Sequence, residues 1–335
     1  MLPNNFYEGA AQASAAIYGL KGGVLSEDER CFFQEVNPLG FILFARNCED
    51  PVQVKVLTDD LRSLLGRNCP ILIDQEGGRV QRLKSPQWRD YPPARQFGER
   101  YEAGETDAAL EDLRYCILQL AEELIGVGVN VDCAPVLDVL CEATHDVIGD
   151  RAFSADPEIV GRLGLSVCRN LLVAGVTPVI KHIPGHGRGR CDSHKELPCV
   201  SCDIGDLEKD FDPFRFVSKS VVGSCVWAMT AHIVYDAVDA EHPASCSAKV
   251  IGDVIRGSIG FEGFLISDDL DMQALERYGD VGARANACLL AGCDAVLHCS
   301  GDLALMEKIA KVVPNLDMKA LKRLQNGAEA ANIAA

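Results

Sequence analysis

Residues 261–272 read FEGFLISDDLDM, an apolar run that breaks without a turn residue into two adjacent carboxylates, Asp268 and Asp269. Other runs share this build: Ala15–Leu20, Leu39–Ala45, Pro70–Asp74, Val129–Pro135, Thr177–His182, Val226–His232 and Asp294–Cys299. With Gly263–Asp268 they make eight. Each is short, rich in Val, Ile, Leu or Phe, and bounded by Gly, Pro, Asp or Asn. A strand apolar on both faces is buried on both, which marks parallel strands covered by helices rather than a sheet with one wet face.

Helical patterns separate many of these runs. Thr106–Val127 carries Leu110, Leu113, Ile117, Leu120 and Leu124 at helical spacing, with Thr106 placed to cap it. Pro157–Gly175 ends on a glycine suited to a C-cap. Asp206–Ser220, Ala248–Gly260 and Asp302–Val313 fit the same alternation. Eight strands alternating with helices over 335 residues predict an α/β fold, one closed (β/α)8 TIM-type barrel forming a single domain over 1–335. An open doubly wound sheet is the competing arrangement; it expects a glycine-rich dinucleotide turn after the first strand, and none follows. No linker or repeat interrupts the pattern, and the tail NGAEAANIAA reads as a frayed helix end.

Hydrophobic residues make up 48% of the chain and aromatics only 6%, so the core must be largely aliphatic. Lys and Arg number 32 against 49 Asp and Glu, a net charge of −17. Such a surface repels phosphate backbones and anionic lipid, which argues against nucleic-acid and membrane partners. The 15 cysteines are odd in number and irregularly spaced, and the close pair Cys199 and Cys202 lacks a second pair to complete a zinc site. Cys133 and Cys225 sit in apolar runs and read as small buried hydrophobes in a reducing compartment. The N-terminus shows no basic segment followed by a long apolar stretch, so no signal peptide or membrane span is expected, and the chain should work in the cytoplasm.

In a barrel of this kind, chemistry gathers where the strands end. Here those ends are ionisable. The third run closes on Asp74-Gln75-Glu76, with Arg79 and Arg82 just beyond. The fourth leads to Asp138 and to Asp150-Arg151, and the fifth to Lys181-His182. The sixth ends at Thr230-Ala231-His232 and the seventh at Asp268-Asp269. Strand neighbours point to opposite faces, so one of the last two carboxylates faces the mouth; Asp268 is assigned there, and Asp269 or Asp271 is assigned to capping. His182 and His186 are four apart, a zinc spacing on a helix, but Pro184 and the surrounding glycines forbid a helix and predict a mobile loop instead. At its far end Asp192 and His194 share a face of extended chain, so the carboxylate can hold and charge the imidazole for proton transfer. Glu76 and Arg79 read as loop ties, His232 as an edge residue of the site, and His145, His242 and His298 as structural.

Taken together, IDQEGGRVQRL (Ile73–Leu83), APVLDV, VIGDRAF, KHIPGHGRGRCDSH (Lys181–His194), MTAHIVY, ISDDLDM and AGCDAVLHC resemble the bacterial single-domain β-N-acetylglucosaminidases of glycoside hydrolase family 3. The resemblance runs from about Gly40 to Ser300. It implies a TIM-type barrel that removes terminal non-reducing N-acetylglucosamine from muropeptides, of the N-acetylglucosamine–anhydro-N-acetylmuramic acid type, during cell-wall recycling. It implies Asp268 as nucleophile, His194 as acid/base with Asp192 as its partner, and Asp74, Arg82, Arg151, Lys181 and His182 as sugar contacts. No cofactor and no metal are expected.

Retaining glycosidases usually pair two carboxylic groups about 5 Å apart. Here an imidazole would take the second role and become neutral once its proton is given. Two other reactions use the same residues. A glycoside phosphorylase would exploit that neutral imidazole to admit phosphate, helped by Arg188 and Arg190. A metal-dependent hydrolase would gather His182, His186, His194, His232 and Asp268.

Overall fold

The computed structural model describes residues 5–142, 144–189, 191–193 and 196–334, with side chains through residue 329. The eight apolar runs become eight parallel strands that close on themselves. In chain order these are β1 (Ser14–Gly19), β2 (Pro38–Leu43), β3 (Ile71–Ile73), β4 (Val131–Asp132), β5 (Thr177–Ile183), β6 (Trp227–Thr230), β7 (Leu265–Asp269) and β8 (Ala295–His298). Each strand pairs with its sequence neighbours, and β8 returns to β1 through Ala16 opposite Val296 and Tyr18 opposite His298. The open-sheet alternative is thereby excluded. Because all pairs are parallel, every strand delivers its C-terminal residue to the same rim.

The helices lie between the strands and after the last of them: α1 (Glu27–Val36), α2 (Pro51–Leu65), α3 (Ala94–Glu102), α4 (Thr106–Gly126), α5 (Pro157–Ala174), α6 (Ile204–Ser218), α7 (Val281–Ala291), α8 (Leu303–Ala310) and α9 (Met318–Ala334). The stretch Val250–Ser258, expected as an ordinary helix, is wound as a π-helix. Local chemistry sets the ends. Ser26 and Glu29 form a reciprocal capping box on α1, Asp156 caps α5, and Gly175 closes α5 in the left-handed region at φ 90°. Thr106 does not cap α4; it is the first helical residue, and Glu105 holds the cap position without a side-chain bond. On α2, Val54, Leu57 and Leu61 face inward at helical spacing while Val52 and Val56 face out.

Strands β1, β2 and β5 are buried at every residue, as continuous apolar patterning requires of a barrel covered by helices. Each fully buried Leu or Ile contributes about 1.5–3 kcal/mol relative to exposure. A small sheet was not expected. Cys199–Val200 runs parallel to Val234–Tyr235, which pairs antiparallel with Asp239–Pro243. It joins the loop after β5 to the loop after β6, both on the C-terminal rim. Among the described residues no helix is long and apolar enough to cross a membrane.

Candidate active site

At the end of β3 the chain alternates. Asp74 and Glu76 point to one side, and Gln75 between them points to the other. Gln75 Oε1 accepts the backbone N–H of Arg82 at 2.8 Å and of Leu83 at 3.1 Å, while Nε2 donates to Leu83 O at 2.9 Å. This closure folds Arg82 back, and its guanidinium donates to Asp74 Oδ2 at 2.8 Å. Lys181, near the end of β5, places Nζ 2.8 Å from Asp74 Oδ1 and 2.6 Å from Glu76 Oε1. Arg151 grips Glu76 with two parallel bonds, both 2.8 Å.

Burial alone would raise both carboxyls, but Lys181 and Arg82 hold Asp74 well below the usual range. Arg151 and Lys181 bring Glu76 down to about 2 against the same burial. Lys181 stays charged although burial opposes it, because Asp74 and Glu76 face its ammonium. Three cations on two carboxylates leave this cluster positive within a chain of net charge −17. Depth sorts its members. Lys181, Glu76 and Arg151 side chains are 2%, 6% and 12% exposed, whereas Asp74 is 14% and Arg82 27% exposed. Asp74 and Arg82 therefore front the cluster, and Lys181 and Arg151 brace it from beneath.

The next group is built on Asp138, fully buried after β4. Its Oδ1 accepts the backbone N–H of His182 at 3.2 Å and of His186 at 2.6 Å, and its Oδ2 lies 2.8 Å from His182 Nδ1. Burial works against this carboxylate, but the two imidazoles and the N–H bonds draw it down to about 2. The segment expected to be a mobile loop is buried from Ile183 through Gly187. Its glycines serve close approach: a Cβ on Gly187 would lie 1.8 Å from Val139 O. Tyr235 of the small sheet donates to Gly185 O at 2.6 Å.

His186 Nε2 lies 3.3 Å from Ser193 Oγ, and Ala274 N donates to Ser193 O at 3.3 Å. The far end of the loop is thus pinned onto the segment that follows β7. Asp192 is half-buried there. His194 and Arg190 lie outside the described residues.

Asp268 and Asp269 end β7, both half-buried. Asp269 donates its N–H to Asp268 Oδ1 at 2.8 Å. Asp269 Oδ1 accepts from Asp271 N at 3.2 Å and Cys299 N at 3.1 Å, so it closes a turn; neither it nor Asp271 takes the helix-cap position expected of one of them, which Met272 holds. Burial and the Asp271 charge raise the Asp269 carboxyl to about 7. The buried Cys299 thiol is pushed up by burial and then by the charges of Asp269, Asp74 and Asp268. His232 does not line the site: it is fully buried, with Nδ1 2.6 Å from Ser245 Oγ and Nε2 3.0 Å from the Asp269 carbonyl.

Residues 24–329 match the glycosyl hydrolase family 3 N-terminal domain. The chain belongs to glycoside hydrolase family 3. It is 37% identical over 300 residues to a β-hexosaminidase of Bordetella avium, covering 88% of this chain and 84% of that one. It is 40% identical over 284 residues to a β-hexosaminidase of Nitrosomonas eutropha, covering 84% and 79%. The NagZ of Neisseria gonorrhoeae, solved in complex with N-trifluoroacetyl-D-glucosamine, superposes with a TM-score of 0.85 at 31% identity, over 96% of this chain and 93% of that one. The present family 3 chain is accordingly a β-hexosaminidase, a glycoside hydrolase.

Two residues of this family 3 site escaped the sequence reading in their actual roles. Asp138 was visible only as a polar strand end, and nothing in APVLDV says that it gathers the backbone N–H and ring nitrogen of His182 and the backbone N–H of His186, more than forty residues on. Glu76 was read as a loop tie, and it is one, but it also shares Lys181 with Asp74. Arg79 ties Asp150 and the carbonyls of Asp146 and Val147, as expected of it. Arg188 is committed to Asp210 and to Asp206 O, which removes one of the two cations the phosphorylase reading relied on.

Proposed function

We propose that this β-hexosaminidase is a retaining β-N-acetylglucosaminidase, built on one barrel domain, that removes terminal N-acetylglucosamine from cytoplasmic muropeptides. Asp268 attacks the anomeric carbon and forms a glycosyl-enzyme. His194, held and charged by Asp192, protonates the leaving oxygen and then takes a proton from the incoming water. Asp74 accepts from sugar hydroxyls, Arg82 and His182 contact the ring, and Lys181 and Arg151 keep Asp74 and Glu76 ionised beneath it.

The observation that carries the reading is that Asp74, directly after β3, and Asp268, at the end of β7, are delivered to the same rim of one closed parallel barrel. Asp74 is fronted by cations that keep it an acceptor. Asp268 is half-buried at the strand end, and its Oδ1 accepts the Asp269 N–H. The docking of Ser193 on Ala274 carries the Asp192 segment toward the same place. The N-acetyl preference is supported by the N-trifluoroacetyl-D-glucosamine held in the gonococcal NagZ, and the muropeptide aglycone is carried over from the family likeness alone.

The test is turnover of an aryl β-N-acetylglucosaminide by wild type, Asp268→Ala and His194→Ala, with mass spectrometry after a slow 5-fluoro sugar. An active wild type, both variants reduced by at least about a thousandfold, and label on Asp268 are the expected results. Full activity in Asp268→Ala refutes the assignment. Acceleration by phosphate with release of the sugar 1-phosphate replaces hydrolysis by phosphorolysis.

A further inference from the structure

His298, read from sequence as structural, ends β8 beside the turn that follows β7. Its ring is 1% exposed, and its Nε2 lies 3.1 Å from Ser300 Oγ. Its Nδ1 lies 3.2 Å from Asp271 Oδ2, yet the two make no hydrogen bond, and neither atom has a hydrogen-bond partner elsewhere among the described residues. One ligand atom from each of Asp269, Asp271 and His298 lies within 4.8 Å of the others. Nδ1 is the ring nitrogen that faces the Asp271 carboxylate, and an approach of 3.2 Å between these two acceptor atoms calls for a cation between them, a proton or a metal ion.

We infer that Asp269, Asp271 and His298 form a binding site for a divalent transition metal of the zinc type, next to the strand end that carries Asp268. Zinc binds imidazole nitrogen and carboxylate oxygen at about 2.0–2.2 Å, so neighbouring ligands on a tetrahedral ion stand about 3.4 Å apart. The 3.2 Å between Nδ1 and Oδ2 is close to that edge. Imidazole with carboxylates suits zinc-like ions better than magnesium or calcium, which prefer all-oxygen shells. Ser300 on the far ring nitrogen supplies the outer bond that fixes a ligating histidine. The Asp271 side chain is 25% exposed and gives the ion a route in. The neighbouring cation, Arg46, is committed to the carbonyls of Leu20 and Cys299. The fourth position is left to water.

The test is titration of Zn²⁺ by calorimetry, and of Co²⁺ by its visible absorption, into the purified full chain and three variants: Asp271→Asn, His298→Gln and Asp192→Asn. One equivalent bound by wild type and by Asp192→Asn, with affinity lowered at least tenfold in Asp271→Asn and His298→Gln, is the expected result. Thermal melts run alongside should show Zn²⁺ raising Tm in wild type and not in Asp271→Asn. Asp271→Asn is isosteric at a partly exposed position, so it reports even if His298→Gln folds poorly. Absence of binding in wild type overturns the inference. So does binding that survives Asp271→Asn but is lost in Asp192→Asn, which places the ion on the Asp192 segment instead.

Discussion

Nδ1 of His182 lies 2.8 Å from Oδ2 of Asp138, and the other oxygen of the same carboxylate receives the backbone N–H groups of His182 and His186. One buried anion therefore sets both the path of the chain after β5 and the tautomer of its first histidine: Nδ1 carries the proton, and Nε2 is the nitrogen left for a ligand. Asp138→Asn keeps the shape and removes the charge, and the amide must turn either its oxygen or its NH2 toward these donors. The expected cost is about 2–4 kcal/mol of stability, read by urea denaturation. A fall in kcat/KM of more than tenfold should accompany it, because His182 loses its fixed tautomer. A variant as stable and active as wild type contradicts this account.

Lys181 is sandwiched between Asp74 and Glu76, and its removal strands two buried carboxylates beside each other. Lys181→Met should cost about 3–5 kcal/mol near neutral pH. The pH dependence has a definite sign. Both carboxyls have folded values below their ordinary ones of 3.8 and 4.5, so they contribute stability above those values that is lost as pH falls further. In the variant that contribution is gone. The gap between wild type and Lys181→Met should therefore be widest at neutral pH and shrink below about pH 4, where the stranded carboxyls protonate. Denaturation at a series of pH values measures it, and a gap independent of pH sinks the charge explanation.

The barrel was legible because its signal is redundant: the strands are buried on both faces for most of their length and so are largely apolar until their C-terminal ends. Helices α1, α2 and α3 were harder, because α1 and α3 are polar over most of their surface and their inward stripes are only two or three residues. The small sheet was unreadable from sequence, since Cys199–Val200 and Val234–Tyr235 are two-residue strands that exist only because the loops after β5 and β6 meet. Within the site, ionisable strand ends such as Asp74, Lys181 and Asp268 stood out against apolar runs. Their partners did not. The bond from Lys181 to Asp74 spans 107 residues, and no local pattern reports a contact at that separation. His232 misled for the related reason that a buried, satisfied histidine and a site histidine look alike until their partners are seen.

His186 is 3% exposed, and burial followed by the neighbouring His182 lowers its imidazole to about 4, against the pull of Asp138 and Asp268. Between about pH 4 and 6.5 the unfolded chain therefore holds a proton that the folded chain does not. Stability must fall as pH drops through that window, by roughly 3 kcal/mol once the pH is well below it. Asp210, raised by burial to about 6 despite Arg188, titrates in the same range with the opposite slope, so the histidine has to be isolated by subtraction. His186→Gln should be less stable than wild type at pH 7 and lose less on acidification. Guanidinium midpoints for the two proteins at pH 7, 5.5 and 4.5 decide it; parallel losses in both would remove His186 as the titrating group.

Gly187 lies under the carbonyl of Val139, where a Cβ would come within 1.8 Å of that oxygen, and its own carbonyl accepts from Thr144 Oγ1 at 2.7 Å. Gly187→Ala must push the loop off the end of the barrel. The displacement passes along the chain toward Ser193, which His186 and Ala274 hold, and so toward the Asp192 and His194 positions that protonate the leaving group in the proposed reaction. Misplacing a catalytic group by about 1 Å can cost roughly a hundredfold in rate. The expected outcome is a fall in kcat of that order, with a smaller change in KM because Asp74 and Arg82 stand on β3 and its loop. Gly205→Ala is the control: it sits in the first turn of α6 with nothing within 4 Å of the added carbon, and it should leave turnover unchanged. Equal kcat in Gly187→Ala and wild type would mean that the loop end finds its place without this contact.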